Sequence, residues 1–497
     1  MVTLPQTDTV GPRHRLEQGR RAPSVGFRLD IEGLRAVAVL AVVLFHAGVP
    51  GVGGGYIGVN VFFVISGFLI TGLLWREVTT AGTVRLGRFY GARARRLLPA
   101  SALVGVVTAI GAAVLLPPLQ AGSVLGDGIA SALYVGNYRF AIHGTDYLAG
   151  DTAPSPFQHY WSLGVEEQFY LLWPALIIGT AWLVRRNSVK ARMNPYLVVL
   201  AAVAMVSFAL SVASTHASPP WAFFSLSTRA WELAAGGLVA LSAGQWRRLS
   251  GLPAAVAGWG GLALILLSCN QLGEKTPYPG TAALLPVLGA ALVIGAGCAT
   301  SGTGPGLLLS LPGMRAIGRV SYSWYLWHWP VLLLMPRLLG HSTGLSGRLA
   351  AVIVSAGLAV ITLHLVENPA RFATPLRQSA GRSLALGGAA TAVAVCAGLV
   401  LLMLVPVPVG RGVAAAAPKI TATPQASASH TVDPYDAVVQ SGFAQVQAAV
   451  AASADLKAVP SNLDPPLAEA PADKPVVFVN GCVRSWLEVG QGECATG

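Results

Sequence analysis

Eleven apolar runs, each near the length that a bilayer's hydrocarbon core demands, constrain this chain more than any other feature. They cover 34–50, 56–75, 98–117, 168–185, 196–214, 223–243, 254–269, 281–299, 320–339, 348–366 and 384–408. Each is read as a membrane-spanning helix. The composition leaves little alternative, because 54% of the 497 residues are hydrophobic and only 11% are charged, too little polar surface for an ordinary soluble globule. The expected fold class is therefore an all-α polytopic membrane protein in contact with the lipid bilayer.

Arginine and lysine fall in alternate loops, as the retention of positive charge in cytoplasmic loops requires. Arg13, Arg15, Arg20 and Arg21 precede the first span; Arg85, Arg88, Arg93, Arg95 and Arg96 follow the second; Arg185, Arg186, Lys190 and Arg192 follow the fourth. The pattern continues through Arg247 and Arg248, Arg315 and Arg319, and Arg371, Arg377 and Arg382. It places the amino terminus inside and, with an odd number of spans, the carboxyl terminus outside. The net charge of +12 is mostly this topological signal and is not read as nucleic-acid binding. No small-residue cleavage pattern accompanies the first span, so it is expected to be retained.

Four regions follow: a basic cytoplasmic arm, 1–27; a ten-helix domain, 28–375; an eleventh transmembrane helix, 376–409; and a short extracytoplasmic tail, 410–497. The tail opens with an Ala-, Pro-, Ser- and Thr-rich linker, continues with one helix expected over 435–457, and ends with VVFV, Cys482 and Cys494. An oxidising compartment would allow those two cysteines to pair.

Polar residues inside spans are expensive, and those at matching depths define the candidate chemistry. In RLDIEGLRAVAVLAVVLFH, Glu32, Arg35 and His46 share one helical stripe, with Arg35 and His46 separated by about 16 Å along the axis. The second span carries Ser66 and Gly67, which mark close helix contact. Arg93, Arg95 and Arg96 precede the third; positive-inside anchoring accounts for them, as does recognition of a phosphate-bearing cosubstrate. The segment HYWSLGVEEQFYLLWP puts His159 and Trp161 at the outer interface and Glu166 where the fourth span enters the membrane, on the same face as Tyr170. Arg229 and Glu232, at i and i+3, read as an internal ion pair. In GRVSYSWYLWHWP, Ser321, Tyr325 and His328 share a face; with that span starting near 320, His328 is placed toward the inner half, far in depth from His46. His46 and Glu166, both at the outer side, suggest a carboxylate orienting an imidazole general base.

RLDIEGLRAVAVLAVVLFH, VFFVISGFLI, FYGARARRLLPA, HYWSLGVEEQFYLLWP, SYSWYLWHWP and VENPARF occur in order between about residues 26 and 373. Together they resemble the acyltransferase-3 family of membrane acyltransferases. The resemblance implies a ten-helix domain that moves an acyl group, acetyl or succinyl, from cytosolic acyl-coenzyme A to a hydroxyl of an extracytoplasmic cell-envelope glycan or glycolipid. By that analogy His46 activates the acceptor or relays the acyl group and Glu166 supports it. Arg35, Arg93, Arg95, Arg96, Ser66, Tyr325 and His328 belong to the donor side, His159 and Trp161 to the acceptor side. Acyl-coenzyme A is a cosubstrate, and neither a permanently bound cofactor nor a metal is implied. The eleventh helix and tail resemble the subset fused to an SGNH-type esterase-like domain, although no nucleophile signature follows Cys494 and Ala92 stands where another arginine is common.

A transporter or lipid flippase is the rival class, since many spans with intramembrane charges suit it too. No inverted internal repeat supports that reading, and the six linked motifs favour the enzyme. A pure membrane anchor leaves His46, Glu166 and the arginines without a purpose.

Overall fold

The computed structural model describes residues 28–144, 154–186, 194–299, 304–341, 343–407, 409–416, 434–453, 458–464 and 466–469. Its helices are α1 (Leu29–His46), α2 (Gly58–Ala81), α3 (Leu86–Leu115), α4 (Pro118–Ala132), α5 (Gly136–Ile142), α6 (Tyr160–Arg186), α7 (Pro195–Ala217), α8 (Pro219–Phe224), α9 (Leu226–Leu241) and α10 (Ala243–Trp246). They continue as α11 (Gly251–Gln271), α12 (Leu284–Ala296), α13 (Gly306–Leu309), α14 (Pro312–Leu339), α15 (Leu345–Thr362), α16 (Asn368–Phe372), α17 (Thr374–Gln378), α18 (Ala380–Leu404) and α19 (Pro434–Ser453). A π-helical turn, Leu363–Glu367, joins α15 to α16.

Every one of the eleven expected spans coincides with a helix. Seven helical stretches are long and apolar enough to cross a bilayer, including Gly55–Ala81, Leu86–Leu115 and Tyr160–Arg186. The helices α1 and α14 fall outside that group: α1 holds Asp30, Glu32 and Arg35, and α14 is rich in serine, tyrosine and tryptophan around His328. After the third span, α4 and α5 pack on each other, with Arg139 on Asp127 at 2.6 Å. The helix α18 lies along α3 and α4 and so joins the bundle. In the tail, α19 matches the expected helix, while the basic arm 1–27, VVFV, Cys482 and Cys494 lie outside the described residues.

Local sequence explains where several helices begin and end. Prolines open α4, α7, α8 and α14, where a missing N–H is harmless. Side chains of Asn194, Ser225 and Ser379 cap α7, α9 and α18.

The pairing of α1 with α14 organises the centre. Arg315 donates to Glu32 at 3.1 Å near their starts, and His46 meets His328 at 2.8 Å near the other end. The sequence offsets of these two pairs differ by one residue, so the helices run parallel and in register. Gly318 makes this approach possible, because a Cβ there would collide with the Glu32 carbonyl. Gly67 and Gly236 do the same for α2 and α9, facing the Leu233 and Val64 backbones. The expected ion pair is present: Arg229 donates to Glu232 at 2.9 Å, both residues essentially inaccessible, and Asn60 donates to the same carboxylate at 2.7 Å.

Candidate active site

The bundle has two chemically distinct ends. The start of α1, the end of α2 and the start of α3 form a basic end. The opposite end holds His46 and His328.

At the basic end, three cavities share a boundary at Arg96 and Leu69. The largest, about 1330 Å³, opens among Arg28, Arg76, Arg85, Arg88 and Arg247. A second, about 780 Å³, lies between α1 and the π-helical turn and is lined by Arg35, Arg96, Arg319 and Arg371, with Glu32 and Glu367 as its acids. The third runs inward from Arg35, Arg93 and Arg96 past Ser66, Glu166 and Tyr170 to Ser162 and Tyr325. Volumes of this order accommodate an extended organic ligand.

The helical rotation of 100° per residue separates the three arginines of α3. Arg93 and Arg96, at i and i+3, share the cavity face. Arg93 stacks on Tyr170, 3.2 Å from the ring centroid, and lies 3.7 Å from Glu167. Arg96 and Arg35 form no ion pair and no hydrogen bond among the described residues, and the Nε atoms of Arg93 and Arg96 are buried without partners. Arg95 points elsewhere, donating to the Arg371 carbonyl at 3.3 Å and to Ser383 at 3.4 Å. It still lines the largest cavity together with Arg93 and Arg96, and it also lines a separate cavity with Arg88 and Arg377.

Glu166 is the next correction. Its carboxylate accepts from Ser66 and, at 3.0 Å, from Tyr170, and it lines the arginine cavity; neither bond goes to His46. The cause is helix length: α6 begins at Tyr160, so Glu166 lies six residues, about 9 Å, inside the helix. His328 moves the opposite way. The helix α14 starts at Pro312, sixteen residues before His328, while α1 starts seventeen residues before His46, so both histidines stand about 25 Å along their helices. His328 is therefore no donor-side residue of the basic end; it is fully buried against His46, with ring centroids 5.1 Å apart. Trp329 flanks the His46 ring at 4.3 Å.

Tyr325 separates the two ends. It closes the inner cavity, bonds Ser162 at 2.7 Å, donates to the His159 carbonyl at 3.0 Å, and packs on His328 with centroids 5.4 Å apart. His159 and Trp161 are both buried, His159 beside the histidine pair with its ring centroid 5.7 Å from that of His328. His159 is inaccessible and bonded to the Leu326 carbonyl at 3.0 Å, and Trp161 packs among Phe63, Phe223 and Phe224. Their side chains were expected at an interface, but α14 covers His159 and α8 and α2 cover Trp161.

Glu367 is the site residue that the sequence reading passed over. It is buried on the π-helical turn, accepts from Ser323 at 3.0 Å and lines the cavity with Arg35 and Arg96. Such turns often occur at functional sites. The available signal was an acid within the quoted run VENPARF, at the end of an apolar span.

The sequence is similar to known proteins. The family described as an acyltransferase domain, acyltransferase-3, matches residues 28–364. The peptidoglycan O-acetyltransferase OatA of Listeria monocytogenes is 32% identical over 352 residues, covering 69% of this chain and 55% of the relative. YrhL of Bacillus subtilis is 31% identical over 370 residues, covering 72% and 56%. The chain thus spans about half the length of the curated relatives that it matches. No solved structure matches it. With the family matched over residues that include His46, His328, Arg35, Arg93 and Arg96, this chain is a multi-pass membrane protein that belongs to the acyltransferase-3 family.

Proposed function

We propose that this protein is a membrane O-acyltransferase that takes an acyl group from acyl-coenzyme A at its basic end and delivers it to a hydroxyl of a cell-envelope glycan or glycolipid at its histidine end. One observation carries the reading: Arg96, which lines all three cavities of the basic end, and Arg35, which lines two of them, are in no ion pair among the described residues. Guanidinium groups left unpaired in such a place suit the phosphates of a nucleotide thioester. Acetyl is the favoured acyl group because the relative from Listeria is named an O-acetyltransferase; succinyl is the larger alternative.

The retention of positive charge on the cytoplasmic side makes the basic end cytoplasmic, with the amino terminus inside the plasma membrane and the tail outside. Adenosine phosphates then dock among the arginines, and the pantetheine arm runs along the inner cavity past Ser66 and Glu166 toward Tyr325. His46 takes the proton of the acceptor hydroxyl as its oxygen attacks the thioester carbonyl. Arg35, about 16 Å from His46 along α1, holds the donor without touching the reacting atoms.

The test uses membranes containing the full chain, radiolabelled acetyl-coenzyme A and a purified cell-wall glycan. His46→Ala abolishes label transfer while coenzyme A binding persists. Transfer at the wild-type rate in that variant would overturn the catalytic role of His46, and the absence of coenzyme A binding to the wild-type protein would overturn the donor assignment.

A further inference from the structure

The two histidines at the end of α1 and within α14 are joined in a way that assigns each proton. His328 Nδ1 lies 2.7 Å from the carbonyl oxygen of Tyr325, three residues earlier on its own helix. A carbonyl can only accept, so His328 Nδ1 carries a hydrogen. His328 is fully buried, and no carboxylate lies within ion-pair range of it among the described residues, an environment that holds an imidazole neutral. Its lone pair is therefore on Nε2. That atom is 2.8 Å from His46 Nδ1, and a hydrogen bond between them needs one donor. With no hydrogen on His328 Nε2, the donor is His46 Nδ1. The lone pair of His46 then resides on Nε2.

From this chain we infer that His328 is a positioning residue: it fixes His46 as the Nδ1–H tautomer, so that Nε2 is the atom able to receive a proton. The inference rests on the proposed role of His46 as general base. In the transfer step the acceptor oxygen forms a bond to the acyl carbon, the carbon–sulfur bond breaks, and the hydroxyl proton passes to His46 Nε2 and then to the departing thiolate. The opposite tautomer presents an N–H to the hydroxyl and has no lone pair there. Two features hold the arrangement: the in-register pairing of α1 with α14, and the Trp329 ring against His46 at 4.3 Å. The backbone acceptor is itself rigid, since the Tyr325 side chain is tied to Ser162 and the His159 carbonyl.

The experiment is nitrogen-15 NMR on the full chain in lipid nanodiscs with labelled histidine. Of nine histidines, the His46 signals are identified by their loss in His46→Ala. The wild type is expected to show a proton on His46 Nδ1 and an unprotonated Nε2; a proton on Nε2 overturns the inference regardless of any variant. His328→Leu removes the acceptor, and His46 is expected to populate the other tautomer, with kcat lowered about 100-fold or more and the KM for acetyl-coenzyme A unchanged. His328→Gln, whose amide oxygen accepts where Nε2 did, is expected to retain the wild-type tautomer and most of kcat. Equal losses in the Leu and Gln variants, or full kcat in the Leu variant, overturn the inference. These failures are distinct from failure of the underlying reading: if His46→Ala keeps full turnover the base role falls, whereas if it abolishes turnover while His328→Leu does not, only the positioning role falls.

Discussion

Replacing Arg96 by methionine should move stability and donor affinity in opposite directions. Arg96 stands among Arg35, Arg371 and Arg93, with Glu367 the nearby opposite charge, and its Nε is buried without a partner. An unsatisfied buried polar group costs about 1–3 kcal/mol, and like-charge repulsion adds to that. Methionine keeps a flexible side chain of similar length to fill the cavity wall and removes both penalties. The melting temperature of the purified, unliganded protein should therefore rise. If Arg96 binds a phosphate of coenzyme A, the lost charge-assisted hydrogen bond weakens binding by about 1.5–3 kcal/mol, roughly 10- to 150-fold in Kd. Thermal unfolding followed by intrinsic fluorescence reads the first quantity, and isothermal titration with coenzyme A reads the second. A variant that melts lower and binds coenzyme A as before would refute the reasoning, since that pair of results describes a structural arginine.

Three further outcomes follow from the geometry. Glu232→Leu alone leaves Arg229 as an uncompensated buried charge and should destabilise by about 3–5 kcal/mol, while the double change Arg229→Met with Glu232→Leu should recover most of the loss, as read by thermal melts of the two variants. Arg95→Gln should weaken coenzyme A binding less than about 5-fold by titration, because its guanidinium bonds Arg371 and Ser383 away from the Arg35 and Arg96 junction. Gly318→Val would drive a side chain into the Glu32 carbonyl, costing about 1–3 kcal/mol; transfer activity should fall with it, since the same helix pair holds His46 against His328.

Helix positions were legible because apolar runs of membrane length leave few alternatives, and the Arg229–Glu232 pair was legible from its i, i+3 spacing. Depth was not. Arg315 and Arg319 read as loop charges, which started the ninth span near 320; α14 begins eight residues earlier, shifting its residues by about 12 Å and bringing His328 level with His46. The same error in the start of α6 set Glu166 beside the wrong partner. The polar and aromatic residues that open α6 would be assigned to the interface by a hydropathy pattern, yet Tyr160, Trp161 and Ser162 are buried in the bundle; α14 instead opens on an exposed turn with Arg319, and Arg315 is drawn onto Glu32. The absence of Arg95 from the inner cavity that Arg93 and Arg96 line follows from helical rotation, but only once 93–96 is known to be helical and not a loop. Glu367 was hidden because a π-helical turn shifts residues off the expected face, a deviation with no periodic signature.

The placement of Tyr325 has a consequence for the cell's energy supply. With its ring against His328 and its hydroxyl held by Ser162, Tyr325 stands where the inner cavity stops, and among the described residues the lining of that cavity does not reach His46. A bilayer crossed by an open, arginine-lined bore would leak anions and discharge its own membrane potential. On the proposed function the carrier would remain on one side, and only a small group together with one proton would need to reach the barrier, so that glycan modification would proceed without short-circuiting the ion gradient.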